Sequence, residues 1–179
     1  IESALLDMTA LAVAGPNELD SGLRPVVDGY ATWLAGELAR AEEFPAHLRE
    51  DALELVEEAR QVHAQLLSGL THLLADPSAL KCFQFMNQVM ADQRIQTQVS
   101  ELRATQPMLT INDAREQVLA DKGALAHSWR TFQLAFILMQ LPSLTDPTIE
   151  ARSGELAKAQ LLFFPTGGGK TEAYLGLAA

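Results

Sequence analysis

Between Leu48 and Leu74 the apolar residues recur at three- and four-residue spacing: Leu48, Ala52, Leu55, Ala59, Val62, Leu66 and Leu73, joined by Val56, His63, Leu67, Leu70 and Leu74. Strand side chains alternate every second residue and cannot sustain that period, so the stretch must be one long amphipathic helix. Such a helix has an apolar face to bury and demands neighbours that cover it. The sequence supplies them on both sides. Before it, Arg24-Pro25 opens a second pattern through Val26, Tyr30, Trp33, Leu34, Leu38 and Ala41. That pattern ends ahead of Phe44-Pro45, where proline removes a donor and clashes with the preceding turn. After it, Asp76-Pro77 reads as an N-cap followed by a proline in the first turn, starting a third helix through Leu80, Phe83, Met86, Asn87 and Met90. Thr110-Ile111-Asn112-Asp113 has the spacing of a capping residue with an acid three positions on, and predicts a short helix to about Leu119, before the Asp121-Lys122-Gly123 break. Gly15-Pro16-Asn17 and Pro142-Ser143-Leu144-Thr145-Asp146-Pro147 read as turns or linkers, and no internal repeat is present.

Composition narrows the class. At 179 residues, 48% hydrophobic and 20% charged, the chain has material for one or two domains with a core. No apolar run approaches the length of a membrane helix, and no positively charged leader precedes Ile1, so the expectation is a cytoplasmic protein without a membrane partner. The single Cys82 excludes an intrachain disulfide and suits a reducing compartment. Thirteen Lys plus Arg face 23 Asp plus Glu, the wrong balance for a surface that neutralises DNA phosphates by itself. Seven of the acids fall between Glu42 and Glu58, which reads as a solvated helix face or as a docking surface for a basic partner.

Several chemically tempting residues carry little. His47, His63, His72 and Cys82 lack paired metal-ligand spacing, and the leucines around His63 make it a core or boundary residue; no metal beyond Mg²⁺ is expected. Phe83, Phe85, Met86 and Met90 read as core. Ser128 follows His127, but adjacency in sequence does not make a nucleophile and its base.

The chemistry lies at the end of the sequence. Leu161-Leu162-Phe163-Phe164 is an apolar run suited to a short buried strand. Pro165 and Thr166 end it, and Gly167-Gly168-Gly169 allow backbone angles and close approaches that side chains forbid. Lys170-Thr171 then open a helical segment, which would turn successive N–H groups toward an anion. Lys170 would hold the β- and γ-phosphates of ATP, and the Thr171 hydroxyl would ligate the bridging Mg²⁺. The general phosphate-loop pattern places a glycine where this chain has Phe164.

The stretch F-P-T-G-G-G-K-T-E-A-Y-L-G-L-A-A resembles motif I of superfamily 2 helicases, in which that leading glycine is not required. Upstream, W-R-T-F-Q-L-A-F-I-L, Trp129 to Leu138, is similar to the glutamine motif that precedes motif I in those enzymes. Together with the L-P-S-L-T-D-P-T run, these segments most resemble the large helicase subunit of DISARM-type bacterial phage-defence systems. The resemblance implies a mainly α chain: a helical bundle, residues 1–125, followed at 126–179 by the first strand, phosphate loop and helix of a P-loop α/β motor domain. It implies ATP and Mg²⁺ as cofactors, with Thr166, Gly167, Gly168, Gly169, Lys170 and Thr171 forming the loop. DNA and other defence-system proteins are the implied partners.

A glutamine amide can also donate to and accept from adenine, so Gln133 is a candidate for the base. Trp129 or Phe132 could cover that base or pack beneath the loop, and Arg130 could reach a phosphate or face water. Equally, Phe132, Phe136, Ile137 and Met139 could form the core of an apolar helix on which Gln133 caps nothing in particular.

Hydrolysis further requires an acid that orients water and arginines that balance charge. Superfamily 2 helicases place these well after motif I, so residues 1–179 are expected to be the N-terminal part of a longer motor and not to hydrolyse ATP alone. An isolated strand leaves backbone groups unpaired. Leu161 to Ala179 is therefore expected to attach to the helical part in a non-motor arrangement, to be disordered, or to pair with another chain. The alternative function is a helical protein-interaction module with a vestigial loop; a small phosphoryl-transfer enzyme fits less well for want of the first glycine.

Overall fold

Caps and breaks divide the chain into helices. The computed structural model describes residues 3–155, 157, 159–163 and 167–179, and the helices among them are α1 (Met8–Leu11), α2 (Pro16–Glu42), α3 (Ala46–Ala75), α4 (Pro77–Thr105), α5 (Ile111–Lys122), α6 (Thr131–Thr145) and α7 (Lys170–Ala178), with a 3₁₀ turn at Gly123–His127. The Asp76 carboxylate accepts from the N–H groups of Ser78 and Ala79 and starts α4, as an N-cap should. Thr110 starts α5, its hydroxyl accepting from the Asp113 N–H at 3.1 Å and donating to the Asp113 carboxylate at 2.7 Å. Helix α2 begins earlier than the Arg24-Pro25 pattern predicts. Pro16 occupies its first position and Glu18 reaches back to the Gly15 N–H at 2.9 Å, which makes the supposed turn a helix start. Pro25 is accommodated inside α2. Helix α6 likewise runs through Pro142 to Thr145 into the predicted linker.

The central core draws on α1, α2, α3, α4 and α6. Met8, Leu23, Leu70, Phe83, Leu134 and Leu138 are among its buried side chains. Two smaller clusters extend from it: Ile95, Val99, Ala114, Val118 and Ala126 join α4 to α5 and the 3₁₀ turn, and Leu34, Ala41 and Val56 join the outer parts of α2 and α3. Helices α3 and α6 cross closely. A Cβ at Gly69 would lie 1.9 Å from the Leu138 carbonyl oxygen, so only glycine permits this approach. His72 and Thr145 join the same pair of helices through a 2.7 Å contact between Nε2 and Oγ1.

The N-terminal segment lies across the bundle. Leu5 N–H donates to the Gly22 carbonyl, Trp129 N–H donates to the Leu6 carbonyl, and Asp7 forms an isolated bridge with Ser128. Asp7 also caps α1 and meets His127 Nδ1 at 3.2 Å. Burial pushes the Asp7 carboxyl up, but the Thr9 hydroxyl, the Ala10 N–H and His127 outweigh it and hold the group below its ordinary value.

Three expectations need correction. Leu161, Leu162 and Phe163 form no strand, and no strand ladder exists among the described residues. Leu161 and Phe163 are 84% and 87% exposed, the opposite of a buried strand. The apolar sequence makes a strand favourable only where a neighbouring edge can pair its backbone, and no described element offers one. Phe164 lies outside the described residues. The apolar stripe of α3 is also covered along only part of its length: Leu66, Leu70 and Leu73 are buried, whereas Leu48 and Leu55 are 47% and 65% exposed. Phe85, expected in the core with Phe83, faces outward. No described helix is long and apolar enough to cross a membrane.

Candidate functional site

The glycine loop sits where α6 begins. Gly167 and Gly169 have φ of 80° and 86°, the left-handed region that favours glycine. Helix α7 starts at Lys170 directly after them. Its underside is small and buried: Ala173 and Gly176 face inward, and a Cβ at Gly176 would stand 2.9 Å from the Trp129 ring and 3.1 Å from Ile137. Tyr174 meets Phe136 edge-on, with ring centroids 5.8 Å apart. Helix α7 thus packs on α6 and α4, so Lys170–Ala178 is attached to the helical part, whereas Leu161 and Phe163 are exposed.

Two side chains at the start of α6 hold the loop backbone. Arg130 Nη1 donates to the Gly168 carbonyl at 2.8 Å. Gln133 Nε2 donates to the Gly169 carbonyl at 2.6 Å, while its Oε1 accepts from the Arg130 N–H at 2.8 Å. Gln133 is 1% exposed, and a buried amide needs such partners on both ends. It therefore caps α6 and tethers the loop at once, which corrects the reading in which it caps nothing. Arg130 spans to a loop carbonyl, which neither alternative for it anticipated.

Trp129 packs beneath α7. It is 2% exposed, and its indole N–H donates to Asn87 Oδ1 at 2.7 Å. Asn87 is fully buried on α4, and its own amide donates to the Phe83 carbonyl at 2.8 Å. This pair ties α4 to the ring that supports Gly176. Asn87 was legible in the sequence only as one residue of an apolar helix face. A buried polar residue on such a face is a signal for a specific partner, but the sequence does not say which. Phe132 is half-buried. On the far side of α7, Glu172 comes within 3.9 Å of Arg94 on α4, a loose ion pair.

The arrangement suits an anion better than a metal alone. The loop glycines leave the backbone approachable, the α7 N-terminus carries partial positive charge, and Lys170 stands in its first turn. Thr171 is exposed, so its hydroxyl is accessible to an ion bound beside a phosphate. Among the described residues no three His, Cys, Asp or Glu side chains converge as a metal site. Thr166 lies outside the described residues. His47, His63 and His72 are dispersed along α3, where His63 stacks on Tyr30 at 6.3 Å between ring centroids.

No protein-family model matches the chain. Over 101 residues, 56% of the chain, the sequence is 42% identical to the DISARM protein DrmA of Bacillus paralicheniformis. The matched stretch covers 8% of that protein's length. The chain is similar to that DISARM protein over this stretch.

Proposed function

We propose that this chain is the N-terminal part of an ATP-dependent DNA helicase or translocase serving a DISARM-type defence against phage in the bacterial cytoplasm. The observation that carries the reading is the glycine loop, seated at the N-terminus of α7 and tethered to the start of α6 by Arg130 and Gln133. The 42% identity to a DISARM protein supports the assignment to that kind of system. Residues 1–125 form the accessory helical region in this reading, and 126–179 the start of the motor.

The residues fit a nucleotide triphosphate. Backbone N–H groups of the loop and of the first α7 turn bind the phosphates, helped by the helix dipole. Lys170 holds the β- and γ-phosphates, and the Thr171 hydroxyl contributes one oxygen to Mg²⁺, whose bound form supplies charge neutralisation during phosphoryl transfer. Gln133 positions the loop by fixing the Gly169 carbonyl. Water activation and the arginines that balance the transition state come from elsewhere in the motor. With 23 acids against 13 Lys plus Arg, this region does not itself grip DNA.

The test uses the intact protein. Lys170→Ala is expected to abolish DNA-stimulated ATP turnover while the far-ultraviolet circular dichroism stays that of the parent; normal turnover in the variant would sink the site assignment. The second reading, a helical protein-interaction module with an inert loop, is favoured by the uncovered apolar surface on α3. Saturable binding of a fluorescent ATP analogue, lost in Lys170→Ala, separates the two.

A further inference from the structure

The α2–α3 hairpin carries more apolar surface than the bundle covers. Its outer cluster, Leu34, Ala41 and Val56, is built from these two helices alone. Between them runs a groove of about 200 Å³ with Trp33, Phe44 and Leu55 on its walls and Leu34 and Val56 on its floor. The walls are open: Trp33 is 49% exposed, Phe44 42% and Leu55 65%. Trp33 is braced by Tyr30, with ring centroids 5.1 Å apart, so the groove presents a supported aromatic wall. Leu48, seven residues before Leu55 and so on the same face of α3, is exposed as well.

The charge around the groove is one-sided. From Glu37 to Arg60 eight acids stand against three arginines. Arg40 and Arg60 are already paired with Glu37 and Glu57, and Arg49 donates to the Phe44 carbonyl. Glu42, Glu43, Glu50, Asp51, Glu54 and Glu58 are all exposed. A field of that sign repels nucleic acid, and it repels a second copy of the same acidic tip. It attracts a cation-rich surface, and the apolar groove between two helices is the shape in which an amphipathic helix is ordinarily received.

We propose that the outer end of the α2–α3 hairpin docks an amphipathic helical segment of a partner protein, seating one large apolar side chain between Trp33, Phe44 and Leu55 and setting lysines or arginines against the surrounding acids. The site shares no residue with the glycine loop.

The probe is a synthetic fluorescein-labelled helix of about 18 residues with leucines and one phenylalanine on one face and lysines and arginines on the other. Two controls accompany it: the same peptide with glutamates replacing the basic residues, and a scrambled peptide of equal charge with no apolar face. Fluorescence anisotropy is expected to give saturable one-to-one binding of the probe, with both controls at least ~10-fold weaker. Affinity should fall several-fold as salt rises from about 50 to about 300 mM. Trp33→Ala, and separately Leu55→Lys, are expected to weaken binding by at least ~10-fold, as truncating a central anchor does. Leu55 is largely exposed, so its replacement leaves the core intact, and circular dichroism checks this. Equal binding of probe and controls, or binding unchanged by both substitutions, overturns the proposal. A concentration-dependent dimer that Leu55→Lys dissociates overturns it in favour of a second copy.

Discussion

Replacing Gly69 with alanine tests the packing that fixes α6, and through α6 the loop. Alanine is the better helix former by about 0.8–1.0 kcal/mol, so the substitution would stabilise an unconstrained helix. At Gly69 the new Cβ would stand 1.9 Å from the Leu138 carbonyl oxygen and 2.6 Å from its carbon. Both are backbone atoms, which cannot rotate aside. Restoring an ordinary contact requires α3 and α6 to separate by roughly 1.5 Å, and a radial gap of even ~0.5–1 Å forfeits a quarter to a half of each affected van der Waals contact. Leu66, Leu70, Leu134, Ile137 and Leu138 are all buried in the core served by this crossing. Overpacking of this kind costs about 1–3 kcal/mol, and the backbone clash sets the expectation at the upper end. Set against the gain in propensity, the net loss is ~2 kcal/mol. Urea unfolding followed by circular dichroism should show the midpoint falling by about 1 M, taking a slope of ~2 kcal/mol per molar. Gly36→Ala is the control: it lies in α2 with no atom within 4 Å of the added Cβ, and should raise stability by up to ~1 kcal/mol. A Gly69→Ala midpoint equal to or above that of the parent would refute the close crossing.

The buried polar pair and the N-terminal carboxylate give two further tests. Asn87→Ala removes the acceptor of the Trp129 indole N–H. An unsatisfied buried donor costs about 1–3 kcal/mol, so Tm should drop by about 4–8 °C, and an unchanged Tm would mean that the pair contributes nothing. The Thr9 hydroxyl, the Ala10 N–H and His127 hold Asp7 below the ordinary carboxylate value in the folded chain, so its stabilisation is present in full above that ordinary value and is lost as pH falls through the folded pKa. Asp7→Asn keeps a cap acceptor without the charge, and is expected to flatten the fall in stability between about pH 5 and about pH 3; an identical acid limb in the variant would count against the assignment.

Helix α3 could be read directly because an apolar period of 3.6 over many turns has a single solution. The breaks at Pro45 and Asp76-Pro77 were equally plain, since proline at those positions constrains the local backbone whatever surrounds it. The loop glycines and Lys170-Thr171 were legible for the same reason: glycine tolerance and helix initiation are local properties. Burial was not legible. Leu48 and Leu55 continue the same stripe as Leu66 and Leu73, yet only the latter pair lies under neighbouring helices. Phe83 and Phe85 differ in fate because they point to different faces of α4.

The tertiary structure decided which partners the site residues take. Gln133, Arg130 and Trp129 were candidates for nucleotide or base, and folding brings the first two to the loop carbonyls of Gly169 and Gly168 and sets the third beneath Gly176. It also left Leu161–Phe163 without a strand. A sequence specifies what each residue can offer: a period, a turn, a donor, an acceptor. Whether an apolar side chain is covered, an edge paired or an amide satisfied depends on segments distant in the chain arriving at the same place, and that long-range geometry is absent from any local pattern.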